Sequence, residues 1–260
     1  SGVGYIGVLC GFLILSFYSV VGGWTIAYIV KSIQGSILTT DPAVLSRTFD
    51  SFIADPVMPL WYHAVFMGLT AGVILAGVQK GIERVSKYLM VMLFLLILIL
   101  IVRGLTLHGA LDGVVTFLHP DFSKVTPTMI IEAMGLAFFS MSLGMGCMIT
   151  YGSYASGETS IPNSAGSVIG LTTLICFLSG LMVFPAIFVF GFNPSAGPGL
   201  TFITMPAVFS QMSGGQLFGI LFFFLLFVAA LTSSVSLMEV VVSFFIDEFR
   251  FPRMMTTVIM

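Results

Sequence analysis

Charge is what this sequence has least of. Asp, Glu, Lys and Arg together make up 8% of its 260 residues, hydrophobic residues make up 58%, and the mean hydropathy is +1.12. Soluble globular domains carry roughly 25% charged residues, so a water-soluble core is excluded. A net charge of −2 spread over so few ionic groups forms no basic tract or stripe, so no nucleic-acid partner is expected. Cysteine is also scarce: Cys10, Cys147 and Cys176 are an odd, scattered set inside apolar segments, which argues for small buried hydrophobes over a disulfide framework or metal site. Covalent chemistry has no carrier either. There is no HExxH, no GxSxG, no phosphate loop and no opposed pair of intramembrane acids, so no enzyme is expected.

What is present is long apolar segments, each able to span a core of about 30 Å as a helix of roughly 20 residues. Six are read at about 5–32, 61–78, 86–102, 128–155, 165–191 and 216–246, giving an all-α polytopic helix bundle in a single transmembrane domain. The connection 33–60 contains Asp41-Pro42, a cap followed by proline at the first helical position, and predicts a short interfacial helix. A second short helix is predicted over Gly109 to Leu118, ended by Pro120. The connection Phe192 to Gly215 carries no charge and is expected to pack back into a vestibule. Lys80, Arg84, Lys87, Arg250 and Arg253 fall on one side, Lys31, Arg47, Arg103 and Lys124 on the other, five against four. The denser side is taken as cytoplasmic, which makes 33–60, 103–127 and 192–215 extracellular loops. The chain opens on Ser1, and MMTTVIM at its end reads as the start of another apolar helix, so an internal piece of a longer transporter-sized protein, or a truncated form, is expected.

One segment contradicts itself. Phe138 to Tyr154, FFSMSLGMGCMITYGSY, has flanks apolar enough to cross a bilayer, yet its middle holds Ser142, Gly144 and Gly146. Unpaired backbone in hydrocarbon costs several kcal/mol, so a break at that depth is expected to wall a binding site. Other spans supply partners for it. Ala229, Ser233 and Leu237 are spaced i, i+4, i+8, with Thr232 and Ser236 flanking, and Ile14, Tyr18 and Gly22 share the same spacing in the first span. Hydroxyls grouped this way are more often packing contacts between helices. Hydroxyl and carbonyl oxygens are also the hard ligands that a small cation such as sodium prefers. Glu239 lies deep in the last span, where either a functional role or a water-filled vestibule accounts for it.

FFSMSLGMGCMITYGSY, AALTSSVSLMEVVVSFFIDEF and FYSVVGGWTIAY, with GVQKGIERVSK, the HPDFSK loop and NPSAGPGLTFITMPAVF, closely resemble the neurotransmitter:sodium symporter family, especially its bacterial amino-acid transporters. The resemblance implies a leucine-transporter-type inverted-repeat fold of about twelve spans, with this chain as the third through eighth and its fourth segment discontinuous. By that likeness Tyr18 would bond the substrate carboxylate, Phe139 would lid the pocket, and Ser142 would face the substrate. Ile14, Met145 and Leu237 would shape the side-chain pocket. Ser140 would serve the first sodium site, with Thr172 at its seventh-span position; the Ala229 carbonyl with Thr232 and Ser233 would form this chain's half of the second, Ser233 also bordering the substrate. Asp247 would pair with a basic residue near the missing N-terminal span, and Tyr154 would cover that inner gate.

Thr172 and Cys176 depart from the family, which often has Asn, Asp or another carboxylate in this region, and no acid occurs in Ala165 to Gly191. Sodium is the cofactor the resemblance implies, and the departure leaves open whether chloride or a protonatable group balances the charge. The implied function is sodium-coupled symport of neutral, apolar amino acids across the plasma membrane, in a bacterium the inner membrane. The partners are the amino-acid substrate, the bilayer and the missing N-terminal and C-terminal spans. The alternatives are a proton-coupled or uncoupled permease, and a non-transporting receptor or assembly module.

Overall fold

The computed structural model describes residues 2–77, 82–191 and 199–260, and among these there is helix but no strand. Lys80 and the stretch 192–198 lie outside the described residues. Five helices are long and apolar enough to cross a membrane. They are α1 (Gly2–Gln34), α3 (Met58–Leu75), α4 (Arg84–Leu105), α8 (Ile161–Phe190) and α10 (Gly215–Phe249). The segment expected at 128–155 is split into α6 (Pro127–Ser140) and α7 (Cys147–Tyr154). Short helices fill the connections: α2 (Pro42–Ala54), α5 (Ala110–Leu118), α9 (Met205–Ser210) and α11 (Arg253–Ile259).

Helix α1 packs most extensively against α10, then against α3. Lipid tails are as apolar as leucine, so helices in a bilayer associate through close backbone approach over small residues. The buried face of α1 supplies them: Gly7, Gly11, Ser19, Gly22, Gly23 and Ala27. A Cβ at Gly22 would stand 2.5 Å from the Phe66 ring, and one at Gly23 would stand 2.7 Å from the His63 backbone nitrogen. At about 1.5 Å per residue, α1 and α10 each run roughly 50 Å and exceed the hydrocarbon core. α10 is the most enclosed of the long helices, with half of its apolar window buried.

At one end the bundle is closed by an aromatic cap. Asp41 accepts from the Ala43 amide and Pro42 starts α2, which buries Leu45, Phe49 and Phe52. Phe49 stacks on Phe202 at 5.6 Å, Trp24 and Tyr28 meet both rings edge-on, and Lys31 lies over Tyr28 and Phe52. The described part of the charge-free connection is folded inward, with Phe202, Met205, Val208 and Phe209 buried.

One expectation is corrected. Cys176 is exposed, unlike Cys147, because the α8 face that bears it has no neighbour within this chain. α6 is exposed along Pro127 to Phe139 for the same reason.

Candidate functional site

The break between α6 and α7 is made by backbone conformation. Ser142, Gly144 and Gly146 take φ of 56°, 81° and 81°, the left-handed region that glycine enters without strain and serine does not. α6 closes by giving the Ala137, Phe138 and Phe139 carbonyls to the amides of Met141, Leu143 and Ser142. α7 opens at Gly146, whose carbonyl takes the Thr150 amide. The carbonyl end of one half-helix thus faces the amide end of the other, which places a partial negative and a partial positive charge at membrane depth.

A cavity of about 160 Å³ lies against this break. Ile14 and Tyr18 line it from α1, Phe139, Ser140, Ser142, Met145 and Cys147 from the broken segment, and Ser233, Ser236 and Leu237 from α10. No lining residue is charged. Its volume resembles the engineered dry cavity of about 150 Å³ that holds benzene, room for a branched or aromatic side chain. Met145, Cys147 and Leu237 are buried, whereas Phe139 and Ser233 are exposed, so the cavity is walled on one side by this chain.

Thr172, Ala229 and Thr232 are not among the lining residues. Ala229 and Thr232 sit half-buried in α10, and the Thr232 hydroxyl donates to the Ala229 carbonyl at 2.9 Å. Ser233, next in the chain, is exposed. These donors are all neutral oxygens, a set that fits a small hard cation such as sodium. Thr172 is half-buried in α8.

A second constellation lies one to two turns further along α10. Glu239 is fully buried and accepts from the Tyr154 hydroxyl at 2.7 Å and from Arg253 at 2.5 Å. Arg253 also donates to the Ile74 carbonyl at 3.0 Å, and the Tyr151 hydroxyl donates to Ser236 at 2.8 Å. One carboxylate therefore ties α7, α10, α11 and α3 together. Arg253 reaches it because Arg250 caps α10 in the left-handed conformation and Pro252 begins α11, folding the chain back. Sequence reasoning counted Arg253 as a loop charge; the signal for its role was a deep acid followed by Arg beyond a proline corner. Asp247 lies apart from this pair. It lines an open cleft of about 270 Å³ with Gly4, Tyr5, Ser153 and Glu248, and the Tyr5 hydroxyl donates to Glu248 at 3.0 Å.

Residues 43–260 match the model of the sodium:neurotransmitter symporter family. The chain is 48% identical over 240 residues to a sodium-dependent transporter, YhdH, of Bacillus subtilis (strain 168), covering 92% of this chain and 53% of that protein. It is 39% identical to a sodium-dependent transporter of Haemophilus influenzae, covering 96% and 56%. A sodium-dependent nutrient amino acid transporter 1 of Drosophila melanogaster is 31% identical over 74% of this chain and 32% of its own length. The solved structure of MhsT in complex with L-phenylalanine superposes with a TM-score of 0.89 at 43% identity, over 99% of this chain and 58% of that one. The chain thus spans about half the length of the bacterial relatives it matches. It is a multi-pass membrane protein, and it belongs to the sodium:neurotransmitter symporter family.

Proposed function

We propose that the complete protein imports a neutral, apolar amino acid by sodium-coupled symport across the plasma membrane, the inner membrane in a bacterium. The observation that carries this is the charge-free cavity at the helix break, sized for one apolar side chain and bordered by half-helix ends of opposite polarity. In this reading Tyr18 and the amide end of α7 take the substrate carboxylate, Ser142 and Ser233 flank its polar end, and Ile14, Met145 and Leu237 hold its side chain. Phe139, exposed at the cavity's edge, serves as the lid. A bound sodium ion would supply positive charge to balance the substrate carboxylate. Ala229, Thr232 and Ser233 would hold one, and Ser140 with Thr172 would contribute to another. Asp247 closes the inner cleft by pairing with a basic residue of a span outside this chain, and Tyr154 covers the same end through Glu239. The relatives support the substrate class: MhsT is a structure with L-phenylalanine, and the fly relative is named for nutrient amino acids.

The test is uptake of radiolabelled phenylalanine and leucine by the full-length protein in proteoliposomes. An inward sodium gradient should drive accumulation, with glutamate and lysine failing to compete. Equal uptake in choline, driven by a proton gradient, would replace sodium with protons as the coupling ion. Binding without counterflow would make the protein a receptor. Replacing chloride with gluconate in the same assay reads the balancing charge, since α8 offers no carboxylate.

A further inference from the structure

Helix α5 has three faces where an ordinary surface helix has two. Ala110, Gly113 and Phe117 turn inward onto α8, Asp112, Thr116 and His119 form a polar strip, and Leu111, Val115 and Leu118 form a third, apolar strip. That strip is 72%, 61% and 48% exposed. Each face covers roughly a third of the helix circumference at 3.6 residues per turn.

The contacts with α8 fix how deep this helix lies. A Cβ at Gly109 would stand 4.0 Å from Val189, one at Gly113 would meet Pro185 and Phe188, and Phe117 packs over Gly180 and stacks on Phe184 at 4.9 Å. α5 therefore descends along α8 as its own sequence advances, by about 13 Å from Val189 to Gly180 at 1.5 Å per residue. The membrane boundary at that end is marked independently. Gly104 of α4 faces the Met182 carbonyl, and beside it Arg103 leaves the apolar belt to donate to Thr106 and to the Ser213 carbonyl. Phe117 and Leu118 thus reach the level of the last apolar turn of α4, where Val102 is 63% exposed in a helix long and apolar enough to cross a membrane.

We propose that the Leu111–Val115–Leu118 strip is seated in lipid at the headgroup–acyl boundary, outer by the loop-charge orientation. An apolar strip that reaches the depth of the last apolar turn of α4 and adjoins a polar strip has the form of an interfacial helix held between protein, acyl chains and water. α5 leads into α6, so lipid contact here fixes where the first half of the broken helix enters the membrane.

The test is site-specific photocrosslinking of the full-length protein in phosphatidylcholine nanodiscs, with benzoylphenylalanine placed singly at Leu111, Val115, Leu118, Asp112 and Thr116. Lipid adducts at the three apolar positions should exceed those at the two polar ones by about fivefold or more. Adducts to another segment of the same protein would overturn the proposal, as would equal, low adduct yields on both faces. A measurement without substitution accompanies it: phosphatidylcholine with a diazirine near the top of its acyl chain should label the peptide holding Val115 and Leu118 in the native protein. Absence of label there, with label present on α4, would equally overturn it.

Discussion

Glu239 shows how much one residue's environment can demand. A fully buried carboxylate is tolerable only with its charge matched and its lone pairs filled, and Tyr154 and Arg253 together do this. Arg253→Met removes the cation and leaves the anion in place, a change expected to destabilise the full-length protein by about 3–5 kcal/mol. Adding Glu239→Gln should recover most of that loss, because the buried charge goes with its partner. Thermal unfolding of the two variants in detergent checks this; a double variant no better than the single would show that the two groups are not energetically paired. The acid was legible in the sequence as a charge inside a span. Its partner was not, because Arg253 is adjacent only through the left-handed turn at Arg250, a conformation that residue identity does not announce.

Among the elements, α1 and α3 illustrate why glycine in a membrane helix is a contact and not a weakness. Phe66, a side chain, backs Gly22, while the backbone of α3 at His63 backs Gly23. A ring can turn aside, and a helix axis cannot do so without moving its other contacts. Gly23→Ala should therefore cost more than Gly22→Ala, the former at the upper end of the roughly 1–3 kcal/mol typical of overpacking. Comparing the thermal midpoints of the two variants checks the order, and the reverse order would place the limiting contact at the ring. The junction of α2 and α3 carries its own dependence on pH. Asp55 accepts the Met58 and Val57 amides, and these bonds hold its carboxyl below the usual carboxylate range. A lowered folded pKa means stabilisation present above the unfolded value and lost as pH falls through the folded one. Amide exchange at Val57 and Met58 should accelerate below the ordinary Asp range in the native protein, and should already be fast at neutral pH in Asp55→Ala. The helix break was legible because Ser142, Gly144 and Gly146 crowd five residues; that all three adopt left-handed φ follows from how the two half-helices are held.

For the whole molecule, hydropathy alone locates the long spans, since each must fill the same core thickness. It does not say which spans touch. The cavity needs Tyr18, Ser142 and Ser233, residues more than two hundred positions apart at the extremes, and their meeting depends on α1 lying along α10. Family resemblance named these residues where periodicity offered only hydroxyls on a face. Thr172, given a sodium-site role by the resemblance, is half-buried in α8 and outside the cavity lining, as Ala229 and Thr232 are also outside it. Cys147 completes the lining without having been singled out for it, and Ser236, noted in the sequence only as a hydroxyl flanking the Ala229–Leu237 face, joins it.

The pairing of α1 with α10 also sets a schedule for biogenesis. The bond from Tyr5 to Glu248 joins residues 243 apart in the chain. At a synthesis rate of about 5–20 residues per second, α1 waits on the order of ten to fifty seconds in the membrane before its principal partner exists. Throughout that interval its glycine seam faces lipid or an insertion factor. The seam must be smooth enough to be left alone by other helices, yet able to lock once α10 arrives.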